Sequence, residues 1–149
     1  MLKKISCLLT FFFIPFFSCA FYMIIPMDNS QKNHLKAYGI AYYAIENNIK
    51  VDWLLNYYGG SFMLKQNKQI QEECDLRNVS YNIIADVKSS QILKSISSPE
   101  KNQDVIRLEK APKTAIYSPK NKQPWDDAVT LALSYAEIPY DIIYDEEVL

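Results

Sequence analysis

Short apolar runs alternate with segments of helical spacing from residue 21 to residue 144, and this alternation restricts the chain to folds that mix strands with helices. Strands are predicted over 21–27, 51–55, 79–85, 113–117 and 140–144, with a short edge strand over 104–108. Helices are predicted over 31–47 and 67–77, after Asp86, and after Pro124. Strands separated by helices are typical of βαβ units. We therefore predict an α/β fold with a parallel sheet built from βαβ units, with right-handed crossovers.

The N-terminal segment has the three parts of a secretory signal peptide. Lys3 and Lys4 give it a basic start, residues 5–17 are almost wholly apolar, and Ser18-Cys19-Ala20 has small side chains at its first and third places. We predict cleavage after Ala20, and hence a periplasmic or secreted protein.

Two alternatives to cleavage after Ala20 stay open. The apolar run continues to Ile25, which is long enough for an uncleaved membrane anchor, although Pro15 interrupts it. Alternatively, Cys19 is lipidated in a lipoprotein. A mature N-terminus at Phe21, measured by mass spectrometry, would exclude both alternatives.

The composition limits the classes of partner that the protein is expected to bind. The chain is 49% hydrophobic and 22% charged, with a net charge of -1. It has no basic excess for nucleic acid, and membrane contact is predicted only through the export signal. Cleavage would leave Cys74 as the sole cysteine, so no internal disulfide is predicted. Cys74 is interpreted as a buried helical residue, since His34, the one histidine, is far away in sequence.

Polar residues at 97–103 interrupt the alternation and mark a candidate domain boundary. We predict a signal peptide over 1–20, a first α/β unit over 21–103, and the start of a second α/β unit over 104–149. The chain ends directly after a predicted strand, which suggests that the second unit continues in a longer protein.

Ligands of open parallel sheets bind beyond the carboxyl ends of the strands, and the first polar loop there holds Asp28, Asn33 and His34. These side chains offer a carboxylate, an amide and an imidazole at the start of a predicted helix. Helix capping with a solvent-facing histidine is the competing interpretation.

Two further loops are candidates. Gly59, Gly60 and Ser61 follow the second strand, and paired glycines can present backbone N–H groups to an anion. A tight turn is the competing interpretation. Trp125 and Asp126 begin the last predicted helix and could hold a sugar or an amine, or serve as a core anchor and a first-turn charge. No metal-ligand spacing occurs, and no cofactor is identified from the sequence.

Two sets of short segments resemble a known family. The first set includes Ile25-Pro26-Met27-Asp28, Val51-Asp52-Trp53-Leu54-Leu55-Asn56-Tyr57 and Gly59-Gly60-Ser61-Phe62; the second includes Tyr117-Ser118-Pro119-Lys120 and Gln123-Pro124-Trp125-Asp126-Asp127. Together they resemble exported bacterial proteins catalogued as asparagine synthetase B. The second half of the chain also resembles the opening of a class I glutamine-amidotransferase-like, flavodoxin-like domain.

The resemblance implies glutamine-dependent chemistry but transfers no catalytic residue to this chain. Leu2 stands where a synthetase of that type has a cysteine nucleophile, and Gly59-Gly60-Ser61 does not reproduce its ATP-binding loop. Three hypotheses follow. The first is an exported, amidotransferase-like protein that binds a small polar ligand at its strand-end loops. The second is a non-enzymatic envelope module that binds a partner or has a structural role. The third is asparagine synthesis, as the family label states.

Overall fold

A computed structural model describes residues 20–118 and 128–144 of the chain, which fold as a mixed α/β structure. Its elements, in chain order, are β1 (Phe21–Ile25), α1 (His34–Glu46), β2 (Val51–Leu55), β3 (Ser61–Lys65), α2 (Lys68–Leu76), β4 (Asn82–Ala85), α3 (Asp86–Ile96), β5 (Asp104–Leu108), β6 (Ala115–Tyr117), α4 (Ala128–Ala136) and β7 (Asp141–Ile143).

The main sheet is antiparallel, so the predicted flavodoxin-like parallel sheet is wrong. Its five strands lie in the order β4-β1-β3-β2-β5, and every neighbouring pair is antiparallel. Strands β1 and β2 do run in the same direction, as a βαβ unit requires, but β3 is inserted between them and pairs with both. Ile24 faces Met63 across one pair, and Trp53 faces Phe62 across the other.

The short connection between β2 and β3 explains this difference. Only residues 56–60 separate the two strands, whereas a parallel crossover needs roughly a dozen residues or more. The chain must therefore return as a hairpin, and the apolar run at Phe62, Met63 and Leu64 becomes a central strand. The resulting βαββαβ order with strands 4-1-3-2 is the split β-α-β topology of ferredoxin-like folds, to which α3 and β5 are added.

Apolar residues fill both faces of this sheet. On one face, strand residues such as Met23, Ile25 and Leu64 pack against the α1 and α2 helices; the helix side of this core includes Ala37, Ile40, Ala44, Ile70 and Cys74. On the opposite face, Ile24, Leu54 and Met63 pack against Ile92 and Ile96 of α3. Each fully buried aliphatic side chain contributes about 1.5–3 kcal/mol.

Helix α3 crosses its face of the sheet diagonally. It follows directly on β4 at one edge and leads to β5 at the opposite edge. Among the described residues, α3 leaves two corners of that face uncovered: one near the end of β1 that leads to Asp28, and one near the opposite ends of β3, β2 and β5. Each corner contains a concavity.

Residues 115–117 and 128–143 add a smaller unit beside α1. Strands β6 and β7 pair in parallel, with α4 in the connection between them. Helix α4 packs closely on α1, because Gly39 lies against the carbonyl group of Ala136. A Cβ atom at Gly39 would lie 1.8 Å from that oxygen, so a side chain there would force the helices apart.

Candidate functional site

The loops that follow β1 and β2 adjoin at one end of the sheet, because these two strands point in the same direction. The Met27 N–H donates to the carbonyl oxygen of Tyr58 at 2.9 Å. The structure therefore brings the first two predicted loops together, although the antiparallel β3 lies between the strands that carry them.

Gly59 and Gly60 form the turn into β3, and the backbone geometry there favours glycine. Their φ angles are +75° and +94°. A Cβ atom on Gly59 would lie 2.3 Å from the Met27 carbonyl oxygen. The Gly60 carbonyl accepts from the Trp53 indole at 3.0 Å, and the Gly60 N–H donates to the Tyr57 carbonyl at 3.1 Å. The Gly60 N–H is thus engaged within the turn, and a ligand role for the two glycines stays a prediction.

Ser61 is fully buried behind this turn. Its hydroxyl lies 2.8 Å from the Tyr57 carbonyl oxygen and 3.2 Å from that of Tyr58, and it donates to this pair of acceptors. This contact satisfies a polar group that would otherwise be costly to bury, and it holds the two tyrosines in place.

Asp28 is an ionised carboxylate at the surface of the first loop. It accepts from the Ser30 N–H at 3.0 Å and from the Ser30 hydroxyl at 2.5 Å. The hydroxyl contact is the main reason that the pKa of Asp28 is lowered, with the backbone contact second. The exposed imidazole of His34 lies with Nε2 3.1 Å from the Asp28 carbonyl oxygen, and donates to it when that nitrogen carries the proton.

Asn33 is the N-cap of α1 and faces the smaller unit. Its side-chain oxygen accepts from the Lys36 N–H at 3.2 Å, which satisfies one of the free donors of the first helical turn. Its amide nitrogen donates to the Tyr135 hydroxyl at 2.8 Å. Asn33 therefore holds α1 and α4 together and does not line the cavity beside Asp28.

That cavity, here called the Asp28–Lys88 pocket, has a volume of about 270 Å³ and opens at the corner between β1, β4 and α3. Ile24, Ile84 and Ile92 form an apolar floor, and Asp28 and Lys88 are charged groups on its walls. Within the described residues, Lys88 is exposed and forms no hydrogen bond or ion pair. One carboxylate and one uncommitted ammonium thus line the same small cavity.

Tyr57 and Tyr58 complete the wall of the pocket. Their rings meet edge to face, with centroids 4.6 Å apart. Burial, with the neighbouring Tyr58 as a smaller cause, raises the pKa of Tyr57, so its hydroxyl stays protonated. Tyr58 is 57% exposed and lies at the pocket entrance with φ +44°.

The sequence drew attention to the turn that carries Tyr57 and Tyr58, but it missed Lys88. Lys88 lies one helical turn before the buried Ile92 of α3. That spacing places Lys88 at the border of the buried face of α3, and it is the one feature of the sequence that could have indicated a role for Lys88. The third predicted site, Trp125 and Asp126, lies outside the described residues.

Cys74 is fully buried in α2 and is not an activated thiol. Burial is the main cause that raises its pKa to about 12, so the thiol is protonated at neutral pH. A nucleophile would need the thiolate, which this environment disfavours.

Within residues 20–118 and 128–144, no group of three or more His, Cys, Asp or Glu side chains could hold a metal ion. None of the helices in this part of the chain has the length and apolarity needed to cross a membrane. Comparison with protein-family models, curated proteins and solved structures finds no match.

Proposed function

We propose that this chain is an exported α/β protein whose Asp28–Lys88 pocket binds a small zwitterionic ligand of the amino-acid type. The observation that carries the proposal is the pair of opposite charges on the walls of one apolar-floored cavity. A ligand ammonium pairs with Asp28, and a ligand carboxylate pairs with Lys88, which has no other partner in the described part of the chain.

The size and lining of the pocket support a small ligand. Its volume of about 270 Å³ lies just below the usual range of ligand cavities, about 300–1,000 Å³. The isoleucines Ile24, Ile84 and Ile92 would contact the aliphatic part of the ligand.

Isothermal titration of the purified protein with each free amino acid tests the proposal. For the best ligand, we expect Lys88→Gln and Asp28→Asn each to weaken binding about tenfold, because each removes one charged hydrogen bond. The matched control is Lys94→Gln, which removes an exposed lysine from the same helix without touching the pocket. The proposal fails if no amino acid binds saturably, or if Lys94→Gln weakens binding as much as Lys88→Gln.

The amidotransferase-like assignment rests on the resemblance alone and stays a prediction. The ligand panel bears on it directly, because such a protein should prefer glutamine among the amino acids tested. Asparagine synthesis, the third hypothesis, would additionally require ATP-dependent formation of asparagine from aspartate. Measurement of that product separates the catalogue label from simple ligand binding.

A second candidate function is a non-enzymatic, partner-binding module. The observation that favours it is an apolar groove of about 250 Å³ between α1, the β2–β5 side of the sheet and Ile138. Its lining includes Tyr38, Tyr42, Trp53, Phe62 and Leu108. An apolar fluorescent dye such as anilinonaphthalene sulfonate should bind there, and Tyr38→Ser should weaken that binding without changing amino-acid binding in the Asp28–Lys88 pocket.

A further inference from the structure

A second concavity lies at the opposite corner of the face that α3 crosses. It has a volume of about 480 Å³, and its polar lining includes Tyr22, Lys50, Asp52, Lys65 and Arg107. It is here called the Arg107 pocket. Three of these five side chains are cationic, whereas the Asp28–Lys88 pocket carries one charge of each sign.

Arg107 is held rigidly in this pocket by a buried carboxylate. Its Nε lies 2.8 Å from Asp52 Oδ1, and its Nη2 lies 3.2 Å from Asp52 Oδ2. The Asp52 side chain is 10% exposed, whereas that of Arg107 is 57% exposed. The bidentate pair is the main reason that the pKa of Arg107 is raised, so the guanidinium stays charged.

The pair with Asp52 uses only one side of the guanidinium. Of the five N–H donors of an arginine, two are engaged by Asp52, and two of the remaining three form the end-on fork of Nη1 and Nη2. Because that end of the side chain is exposed, it offers a fixed, planar pair of donors to an oxyanion. An arginine already oriented by another group loses less entropy when it binds.

The two lysines supply further positive charge beside this fork. Lys65 is exposed at the end of β3, opposite Tyr22 of β1, and makes no ion pair within the described residues. Lys50 pairs with Glu109 at 3.0 Å, but both side chains are more than half exposed. Such a surface pair contributes little energy, so Lys50 can exchange Glu109 for a ligand at small cost.

We propose that the Arg107 pocket is a second binding site, specific for small, multiply charged oxyanions of the phosphate type. A tetrahedral oxyanion presents enough oxygens to meet the arginine fork and two ammonium groups at once, whereas a single carboxylate presents only two. The Tyr22 hydroxyl can donate to a remaining oxygen.

Titration with inorganic phosphate and pyrophosphate, at constant ionic strength, tests this site in the full protein. We expect saturable binding, stronger for pyrophosphate, with NMR shifts centred on Lys65 and Arg107. Lys65→Gln should weaken pyrophosphate binding about tenfold, because it removes one charge-assisted hydrogen bond. The matched control is Lys68→Gln, since Lys68 is 90% exposed on α2 and lies outside the pocket.

The arginine requires a paired substitution, because Arg107→Gln alone would leave the buried Asp52 without its partner. The double variant Asp52→Asn/Arg107→Gln keeps the pocket neutral at that position and should lose pyrophosphate binding. Equal weakening by Lys65→Gln and Lys68→Gln would overturn the proposal, as would chloride at matched ionic strength producing the same shifts. Amino-acid binding at the opposite corner is measured separately, so the two proposals fail independently.

Discussion

Gly59 stands where a side chain would collide with the preceding loop. Its φ of +75° is costly for other residues, and a Cβ atom there would lie 2.3 Å from the Met27 carbonyl oxygen. We expect Gly59→Ala to lower the free energy of unfolding by about 2 kcal/mol or more, since a left-handed backbone conformation alone costs about 1–2 kcal/mol. Urea denaturation followed by circular dichroism measures this loss.

Gly60→Ala is the matched control for Gly59→Ala. Gly60 also has a positive φ, but its added Cβ would meet only the Trp53 indole, at 3.3 Å. Both variants should therefore carry backbone strain, but only Gly59→Ala should also collide with the Met27 carbonyl oxygen. Equal destabilisation by the two substitutions would show that the loop contact at Met27 is unimportant.

Helix α3 lines the Asp28–Lys88 pocket through Lys88 and Ile92, and Ile96 lies at its C-terminal end. Ile96 is 1% exposed and packs beside Leu54 and Met63. We expect Ile96→Ala to lower the free energy of unfolding by about 2–5 kcal/mol, the usual cost of such a core truncation. Val87→Ala, at the 69% exposed start of the same helix, should change it by less than about 0.5 kcal/mol. A small loss in Ile96→Ala would mean that α3 is loosely attached.

The sequence predicted the positions of most helices and strands, but not which strands pair with one another. The apolar spacing and flanking polar residues predicted segments that overlap α1, α2 and α3, and the run at Val51–Leu55 is β2 as predicted. The run at Phe62, Met63 and Leu64 was not recognised as a strand, because it follows a glycine turn and has no polar alternation. Missing β3 made two strands with the same direction appear to be neighbours.

The candidate site was likewise predictable from the sequence only in part. Local chemistry, such as Asp28 beside a helix start and Gly59 in a turn, can be predicted from adjacent residues. Lys88 could not be assigned to the site, because its distance from Asp28 is set by how α3 crosses the sheet. The presence of a positive charge in the pocket therefore depends on the topology of the sheet and α3.

At the scale of the whole molecule, Glu137 connects three helices. It follows α4, accepts from Lys36 of α1, and pairs with Arg77 at the end of α2 at 2.8 Å. Its φ of +59° is unusual for glutamate and belongs to the turn that ends α4, where the Ile138 N–H donates to the Leu133 carbonyl oxygen at 3.0 Å. The Lys36 hydrogen bond is the main reason that the pKa of Glu137 is lowered.

This arrangement predicts a pH-dependent stability. Because the pKa of Glu137 is lower in the folded than in the unfolded chain, its contribution is present above the unfolded value and is lost as the pH falls through the folded value. Its side chain is 46% exposed, so we expect Glu137→Gln to cost only about 1 kcal/mol at pH 7. The difference from the parent protein in urea denaturation should shrink as the pH falls below the usual glutamate pKa of about 4.3, and vanish once the pH lies below the lowered pKa of Glu137. A difference that does not shrink as the pH is lowered would show that the carboxylate charge is not responsible.

The main sheet has two outer strands, each with one edge that pairs with no other strand among the described residues, and they differ in how they resist addition of another chain. Strand β4 carries no charged residue but is short, whereas β5 carries Asp104 and Arg107. Charged side chains on an edge discourage pairing between molecules. Arg107 therefore also opposes self-association through β5, and we expect a variant that neutralises it to associate more readily at high concentration.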